Sequence, residues 1–230
     1  MSHCFLILNV RENDFAILSS QGFDGEGKIM FKDTYFEVEG ESADALLNQV
    51  NAISDLSDFS SKTARLLTHP LSFAPGFHFL KIIDHHQNPL KTLQVIYKSE
   101  KTIILDGTSF PFDFLAENEH LVLTPETIKS YVRFYFEYVR ATEGPLFVVD
   151  SPDNIPWIEE PTPAARRAIF KMMQPLELID TDEEGSFHLK SSIFYKNSLF
   201  ESNLIVNQSG NVSLSNQELL VDNLPTVASI

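Results

Sequence analysis

The residues most able to do chemistry lie in three short stretches, and the first of them has the spacing of a phosphate-binding loop. Gly22, Gly27 and Lys28 stand at the positions that a P-loop requires. Ile29, however, occupies the position of the Ser or Thr that would bind magnesium. The sequence after it predicts a strand, whereas a phosphate needs the N-terminus of a helix for its stabilisation. The stretch 22–28 is therefore predicted to be a glycine-rich loop between strands.

The second stretch alternates acidic side chains in the manner of a calcium-binding loop. Asp180, Asp182 and Glu184 occupy alternate positions, and Gly185 is the sixth residue. The twelfth position, where such a loop needs a bidentate Glu, is Ser191. A tight acidic turn between two strands is the better interpretation.

The third stretch is Asp84-His85-His86, with His78 nearby, and it contains residue types that bind metal ions. Successive side chains of an extended chain point to opposite sides, so His85 and His86 do not readily share one ion. The Asp-His-His string also resembles a phosphoesterase motif, but the sequence contains none of the further acidic motifs of such a site. We predict a loop here and no metal or other cofactor, with metal binding by His78, His85 or His86 kept as an alternative.

An aromatic helix predicted at 125–141 carries the least ordinary pattern of the sequence. Pro125 suits the first helical turn, and apolar side chains cover a wide arc of the helical wheel. Tyr131, Tyr135 and Tyr138 follow the i, i+4, i+7 spacing, which places three hydroxyl groups along one flank of that arc. Two interpretations stay open: a core helix whose tyrosines reach the edge of a sheet, or the wall of a pocket or partner interface.

The only tryptophan, Trp157, lies in a loop bounded by proline, Ile155-Pro156-Trp157-Ile158. An exposed Trp is a common interface anchor, whereas a packed one would cover the core. Tyr131, Tyr135, Tyr138 and Trp157 are therefore the candidate binding residues. No catalytic residue is predicted, because the sequence contains no Gly-x-Ser-x-Gly, His-Glu-x-x-His or Cys-x-x-Cys motif.

Charge and composition narrow the classes of partner. The 230 residues carry a net charge of −15, which argues against nucleic acid and against an anionic membrane surface. Cys4 is the only cysteine, so the chain has no internal disulfide, as is usual in a reducing compartment. The apolar run at its start is too short for a signal peptide, and no stretch is long enough to span a membrane. We expect a soluble, cytoplasmic protein.

The spacing of apolar residues predicts an α+β fold with antiparallel sheets. In the first half it predicts strands at 5–10, 15–19 and around 29–38, a helix at 43–53 capped by Ser42, a short helix at 62–67, a hairpin of strands 77–83 and 90–97, and a strand at 101–105. In the second half it predicts the aromatic helix, a strand at 146–149, a helix ending at Met173 and capped by Thr162, and a meander of strands at 176–180, 187–195, 199–206 and 212–214.

This element order divides the chain into a strand-rich half, 1–120, and a second half, 121–230, with one shared core as the alternative to two domains. The second half is similar in element order to NTF2-like and cystatin-like folds, in which a long helix packs across a curved sheet. The resemblance implies a pocket at the open end of the sheet, where Tyr131, Tyr135 and Trp157 would lie. It implies no activity.

These patterns favour a non-catalytic protein that binds another protein or itself. The reasons are the wide aromatic arc, the single Trp157 and a sequence without a catalytic motif. The alternative is a small-molecule-binding protein or enzyme with a pocket under helix 125–141.

Overall fold

The computed structural model describes residues 35–54, 58–86, 88–99, 101–118, 120–141 and 146–227. These residues belong to two compact units. The first contains the described residues of 35–71 and 75–105, and the second contains 72–74 and the described residues from 106 onward. The division predicted at residues 120 and 121 stays a prediction. The strands predicted at 5–10 and 15–19 and the loop at 22–28 lie outside the described residues.

An antiparallel sheet with strands in the order β1-β2-β3-β4-β5 forms the first unit, together with one helix. Its elements are β1 (Phe36–Val38), α1 (Gly40–Ile53), β2 (Ala64–Pro70), β3 (His78–Asp84), β4 (Lys91–Lys98) and β5 (Lys101–Ile104). The predicted hairpin is confirmed, with Leu80 of β3 opposite Val95 of β4. The apolar stripe of α1 packs with side chains of the sheet to form one core, which contains Leu46, Leu47, Val50, Leu66, Leu80, Ile82 and Val95.

The second unit contains another antiparallel sheet and three α-helices within its described residues. Its elements are α2 (Phe110–Glu117), α3 (Ile128–Tyr138), β6 (Leu146–Val148), a 3-10 turn (Pro152–Asn154), α4 (Pro163–Met172), β7 (Glu177–Thr181), β8 (Phe187–Tyr195), β9 (Ser198–Val206) and β10 (Val212–Val221). The strand order is β10-β9-β8, and both β6 and β7 pair with β8 along different stretches. Helix α3 contacts β6 and β7. The α+β fold with antiparallel sheets is thereby confirmed, while the helix-on-curved-sheet likeness stays a prediction.

The ends of two helices show how local hydrogen bonds set their limits. Helix α4 begins as predicted, because the hydroxyl of Thr162 accepts a hydrogen bond from the backbone N–H of Ala165. The aromatic helix begins at Ile128 and not at residue 125, and it ends at Tyr138. The hydroxyl of Thr127 donates to the carbonyl of Val122, which holds the preceding residues in a turn.

Four other differences from the prediction concern the ends or the presence of elements. The short helix predicted at 62–67 is wrong, because β2 occupies this stretch and pairs with strands on both sides. Ladder pairing overrides the helical propensity of its Ala, Arg and Leu residues. Helix α2 is absent from the prediction, and β10 extends far beyond the three residues predicted at 212–214. The first helix also begins at Gly40, before the predicted cap at Ser42.

Candidate functional site

The aromatic helix places Tyr131 in the centre of a packed cluster. Tyr131 is fully buried, and its ring lies 5.3 Å from that of Phe73 and 5.9 Å from that of Phe112, both edge-on. Its hydroxyl donates a hydrogen bond of 2.6 Å to the carbonyl of Gly210. Burial raises the pKa of Tyr131 far above that of a free phenol. The site of this hydroxyl is therefore closed and satisfied, as in the core-helix interpretation.

The turn between β9 and β10 is built around this contact. Gly210 has φ +78, a conformation that residues with a Cβ rarely adopt. A Cβ on Gly210 would lie 2.6 Å from the hydroxyl oxygen of Tyr131 and at the same distance from a methyl group of Leu121. Glycine is thus required both by the backbone and by the space that Tyr131 fills.

Tyr135 and Tyr138 are half-buried and have different surroundings from Tyr131. The ring of Tyr135 lies 4.9 Å from that of Phe112, and burial, followed by the carboxylate of Asp113, raises its pKa. The Tyr138 hydroxyl donates to Oε1 of Glu137 at 3.1 Å. The hydroxyl groups of Tyr131 and Tyr138 therefore serve two separate partners.

The polar side of α3 contributes one ion pair that links elements of the second unit. Arg133 donates from Nε and Nη2 to Oδ2 of Asp150, at 3.0 and 2.8 Å. Oδ1 of the same carboxylate accepts from the backbone N–H of Leu176 at 2.8 Å. This arrangement fixes the chain before β7 against α3, which is a structural role.

Trp157 lies in a short two-stranded ribbon that joins residues 156–158 to residues 225–227. It forms a β-bridge with Thr226, flanked by hydrogen bonds from Ile158 N–H to Pro225 O at 3.0 Å and from Val227 N–H to Pro156 O at 2.9 Å. The indole N–H donates to the carbonyl of Pro152 at 2.8 Å. The ring packs against the buried cluster that contains Ile155, Ile169, Phe194 and Leu199. Trp157 is therefore half-buried and points inward, as does Thr226, which is 7% exposed.

Because side chains alternate along extended backbone, the neighbours of Trp157 and Thr226 point outward. Ile158 is 66% exposed and Val227 is 45% exposed. Pro225 is also exposed, and Pro156 is half-buried. We call these four residues, Pro156, Ile158, Pro225 and Val227, the ribbon face. They form an apolar surface on a backbone whose inner side is fixed by packing.

Charged groups lie beside the ribbon face. The guanidinium of Arg166 on α4 forms ion pairs with Glu160, at 2.8 Å, and with Asp153. Glu159 is exposed and follows Ile158 directly. These contacts connect α4 to the loop that carries Trp157, and they give the ribbon face a polar border with more carboxylates than cations.

The Asp84-His85-His86 stretch and the acidic stretch around Asp182 lie at turns between strands. Oδ1 of Asp84 accepts from the backbone N–H of His86 in the β3–β4 turn, and the ring of His78 stacks on that of Tyr97 at 5.5 Å. Asp182 lies in the β7–β8 turn, where a hydrogen bond with His188 lowers its pKa. Among the described residues, no group of three or more His, Cys, Asp or Glu side chains is arranged to hold a metal ion.

The same part of the chain contains no helix that is both long and apolar enough to cross a membrane. Comparison with family models, with curated protein sequences and with solved structures finds no match.

The sequence pointed to Trp157 but not to the ribbon face around it. The sequence signal for this surface is the proline before Trp157 and the aliphatic residue after it. The decisive contact, however, is with residues 225–227, which lie far away in the sequence. Local periodicity contains no information on such a pairing.

Proposed function

We propose that this chain is a non-catalytic protein–protein interaction module and that the ribbon face is its binding surface. The observation that carries the proposal is the exposure of Ile158 and Val227 on the same side of a ribbon whose opposite side is packed. Interfaces commonly have such an apolar centre with a polar border.

The ribbon face is held in shape before any partner arrives. Two backbone hydrogen bonds join its strands, and the indole of Trp157 fixes the inner side. Ordering a flexible surface on binding costs conformational entropy. A surface that is already ordered avoids this cost and binds more tightly with the same contacts. Trp157 acts here as the support of the binding residues and not as the residue that enters the partner.

Charge complementarity indicates the chemistry of the partner. The chain has a net charge of −15, and Glu159 and Glu160 stand next to Ile158. A partner with an apolar pocket flanked by Lys or Arg would be attracted at long range and would match this border. A second copy carries the same negative charge, so the ribbon face favours a different protein.

The matched pair Ile158→Asp and Ile179→Asp tests this proposal. Both isoleucines are well exposed, at 66% and 59%, but Ile179 lies on β7 and outside the ribbon face. Wild type and both variants are tagged and purified from the native host, and associated proteins are quantified by mass spectrometry. We expect one partner that is retained by wild type and Ile179→Asp and lost from Ile158→Asp.

Calorimetry with that partner in purified form completes the test. We expect Ile158→Asp to weaken binding at least about tenfold, since a buried central contact is worth more than 1 kcal/mol. The wild-type affinity should fall as salt rises, because opposite charges attract. Equal affinity of the two variants would contradict the proposal. A small molecule found by native mass spectrometry at one per chain, with no protein partner, would instead favour the alternative of a small-molecule-binding protein.

A further inference from the structure

The edges of the two sheets differ in length and charge. β1 and β6 have three residues each, β5 has four and begins with Lys101, and β7 has five with two acidic residues. Short and charged edges prevent unwanted pairing with other chains. β10 has ten residues and a single charge, that of Glu218. Among the described strands it is the one long, nearly neutral edge.

The outer side of β10 is open within the described residues. β10 ends the order β10-β9-β8, so its outward N–H and C=O groups face no strand there. Side chains from Ser215 to Leu219 are exposed, and Leu219 is 52% exposed. An exposed aliphatic side chain thus lies on an edge that no described strand covers.

Two register shifts interrupt β10, one at its centre and one between Leu219 and Val221, so regular pairing along its outer edge is limited to the residues before Leu220. Ser215 pairs with Asn203 and Glu218 with Glu201, so Asn216 and Gln217 are accommodated opposite a single residue of β9. Asn216 has a φ of +49. A bulge usually hinders pairing with a regular strand. The central bulge does not hinder a strand that has its own bulge at the same place, which is the case for a second copy.

We propose that β10 pairs antiparallel with β10 of a second copy, about a two-fold axis between Asn216 and Gln217. This register places Leu214 opposite Leu219 of the second copy, and Ser215 opposite Glu218 of the second copy. Within one chain, Leu214 pairs with Leu204 and Leu219 with Phe200, two residues four apart on β9, so both leucines lie on one face of the sheet. The axis therefore brings each exposed Leu219 against a leucine on the same face.

The charges of the chain do not oppose this pairing locally. Glu218 meets a serine, so no two like charges face each other in the register. Each copy has a net charge of −15, which acts against association at a distance and is screened by salt. The dimer should therefore strengthen as salt rises, whereas binding at the ribbon face should weaken. The inference does not depend on the ribbon face, and either can fail without the other.

Sedimentation equilibrium of the full chain tests the dimer. At about 100 µM protein and about 0.5 M salt, we expect twice the chain mass of 26.0 kDa for wild type and for the control Ile179→Lys. Leu219→Lys should sediment as a monomer with an unchanged circular dichroism spectrum. A wild type that stays monomeric, or a Leu219→Lys variant that dimerises like wild type, would overturn the proposal.

Substitutions of Ser215 test the register of the dimer without changing an apolar residue. Ser215→Lys places a cation opposite Glu218 of the second copy, twice in the dimer, and Ser215→Glu places like charges there. We expect the dissociation constant of Ser215→Lys to be lower than that of Ser215→Glu by about tenfold or more. Equal constants would rule out this register.

Discussion

Tyr131 and Trp157 make the same kind of hydrogen bond, but the side chains around Tyr131 are covered and those beside Trp157 are exposed. Each donates one hydrogen bond from the tip of an aromatic side chain to a backbone carbonyl, that of Gly210 for Tyr131 and that of Pro152 for Trp157. Tyr131 lies in a helix whose other apolar side chains are buried or half-buried, so none of them is fully exposed. Trp157 lies in an extended ribbon, where burial of one side chain turns the next one outward.

Both aromatic side chains are packed and hold the surrounding backbone in place. The backbone conformation, helical or extended, decides whether apolar neighbours of the aromatic residue are exposed. In α3, Phe73 packs against Tyr131 and Phe112 packs against Phe134, both within the apolar arc. In the ribbon, alternation exposes Ile158 although Trp157 is packed. We therefore propose the neighbours of Trp157, and not Trp157 itself, as the binding residues.

Removal of the Tyr131 side chain should have the largest effect on stability. We expect Tyr131→Ala to lower the free energy of unfolding by about 4 kcal/mol, because it leaves a cavity among closely packed rings. The control Tyr138→Ala removes a half-buried ring from the same helix and should cost roughly half as much. Urea unfolding measures both values. Equal losses would mean that Tyr131 is not the centre of the cluster.

Removal of the Trp157 side chain should have a smaller and more local effect. We expect Trp157→Ala to cost about 2 kcal/mol, since the ring is only half-buried. Hydrogen exchange should accelerate at the amides of Ile158 and Val227, which hold the ribbon together. If both amides exchange as in wild type, the indole does not support the ribbon.

Loss of the Tyr131 hydroxyl alone should have the smallest effect and should depend on pH. Tyr131→Phe removes one buried hydrogen bond and should cost about 1 kcal/mol at neutral pH. The pKa of folded Tyr131 is raised, while the unfolded phenol ionises near pH 10. Ionisation therefore favours the unfolded chain, and the stability contributed below that pH is lost as pH rises above it.

The measurement that checks this sign is the free energy of unfolding between about pH 9 and pH 11. It should fall less steeply in Tyr131→Phe than in wild type. The fall should not vanish, because burial also raises the pKa of Tyr97 and of Tyr135. Parallel curves for the two proteins would show that Tyr131 ionises as easily when folded as when unfolded.

Local patterns in the sequence were sufficient for the elements with clear alternation or clear end signals. The hairpin of β3 and β4 and the strands β8 and β9 follow their apolar alternation, and Thr162 with Pro163 marks the start of α4. Helix α2 was missed because eight residues that include Pro111 give little periodicity. The full length of β10 was missed because polar residues at its bulge interrupt the strand pattern.

The candidate site could be predicted only in part, because it depends on contacts between distant segments. Trp157 stood out by its residue type, but the pairing with Thr226 that turns Ile158 outward is non-local. The hydroxyl of Tyr131 likewise finds its partner at Gly210, in a turn that local spacing does not connect to α3. Helical spacing placed three tyrosines on one flank without indicating what covers them.

Photocrosslinking in the native host from two positions of the same chain tests most directly whether the ribbon face binds a partner protein. A photoreactive phenylalanine analogue is introduced at Ile158, on the ribbon face, or at Tyr135, on the aromatic helix. We expect a discrete adduct with a partner protein from position 158 and none from position 135. An adduct from position 135 together with none from position 158 would contradict the proposal and would assign binding to the aromatic helix.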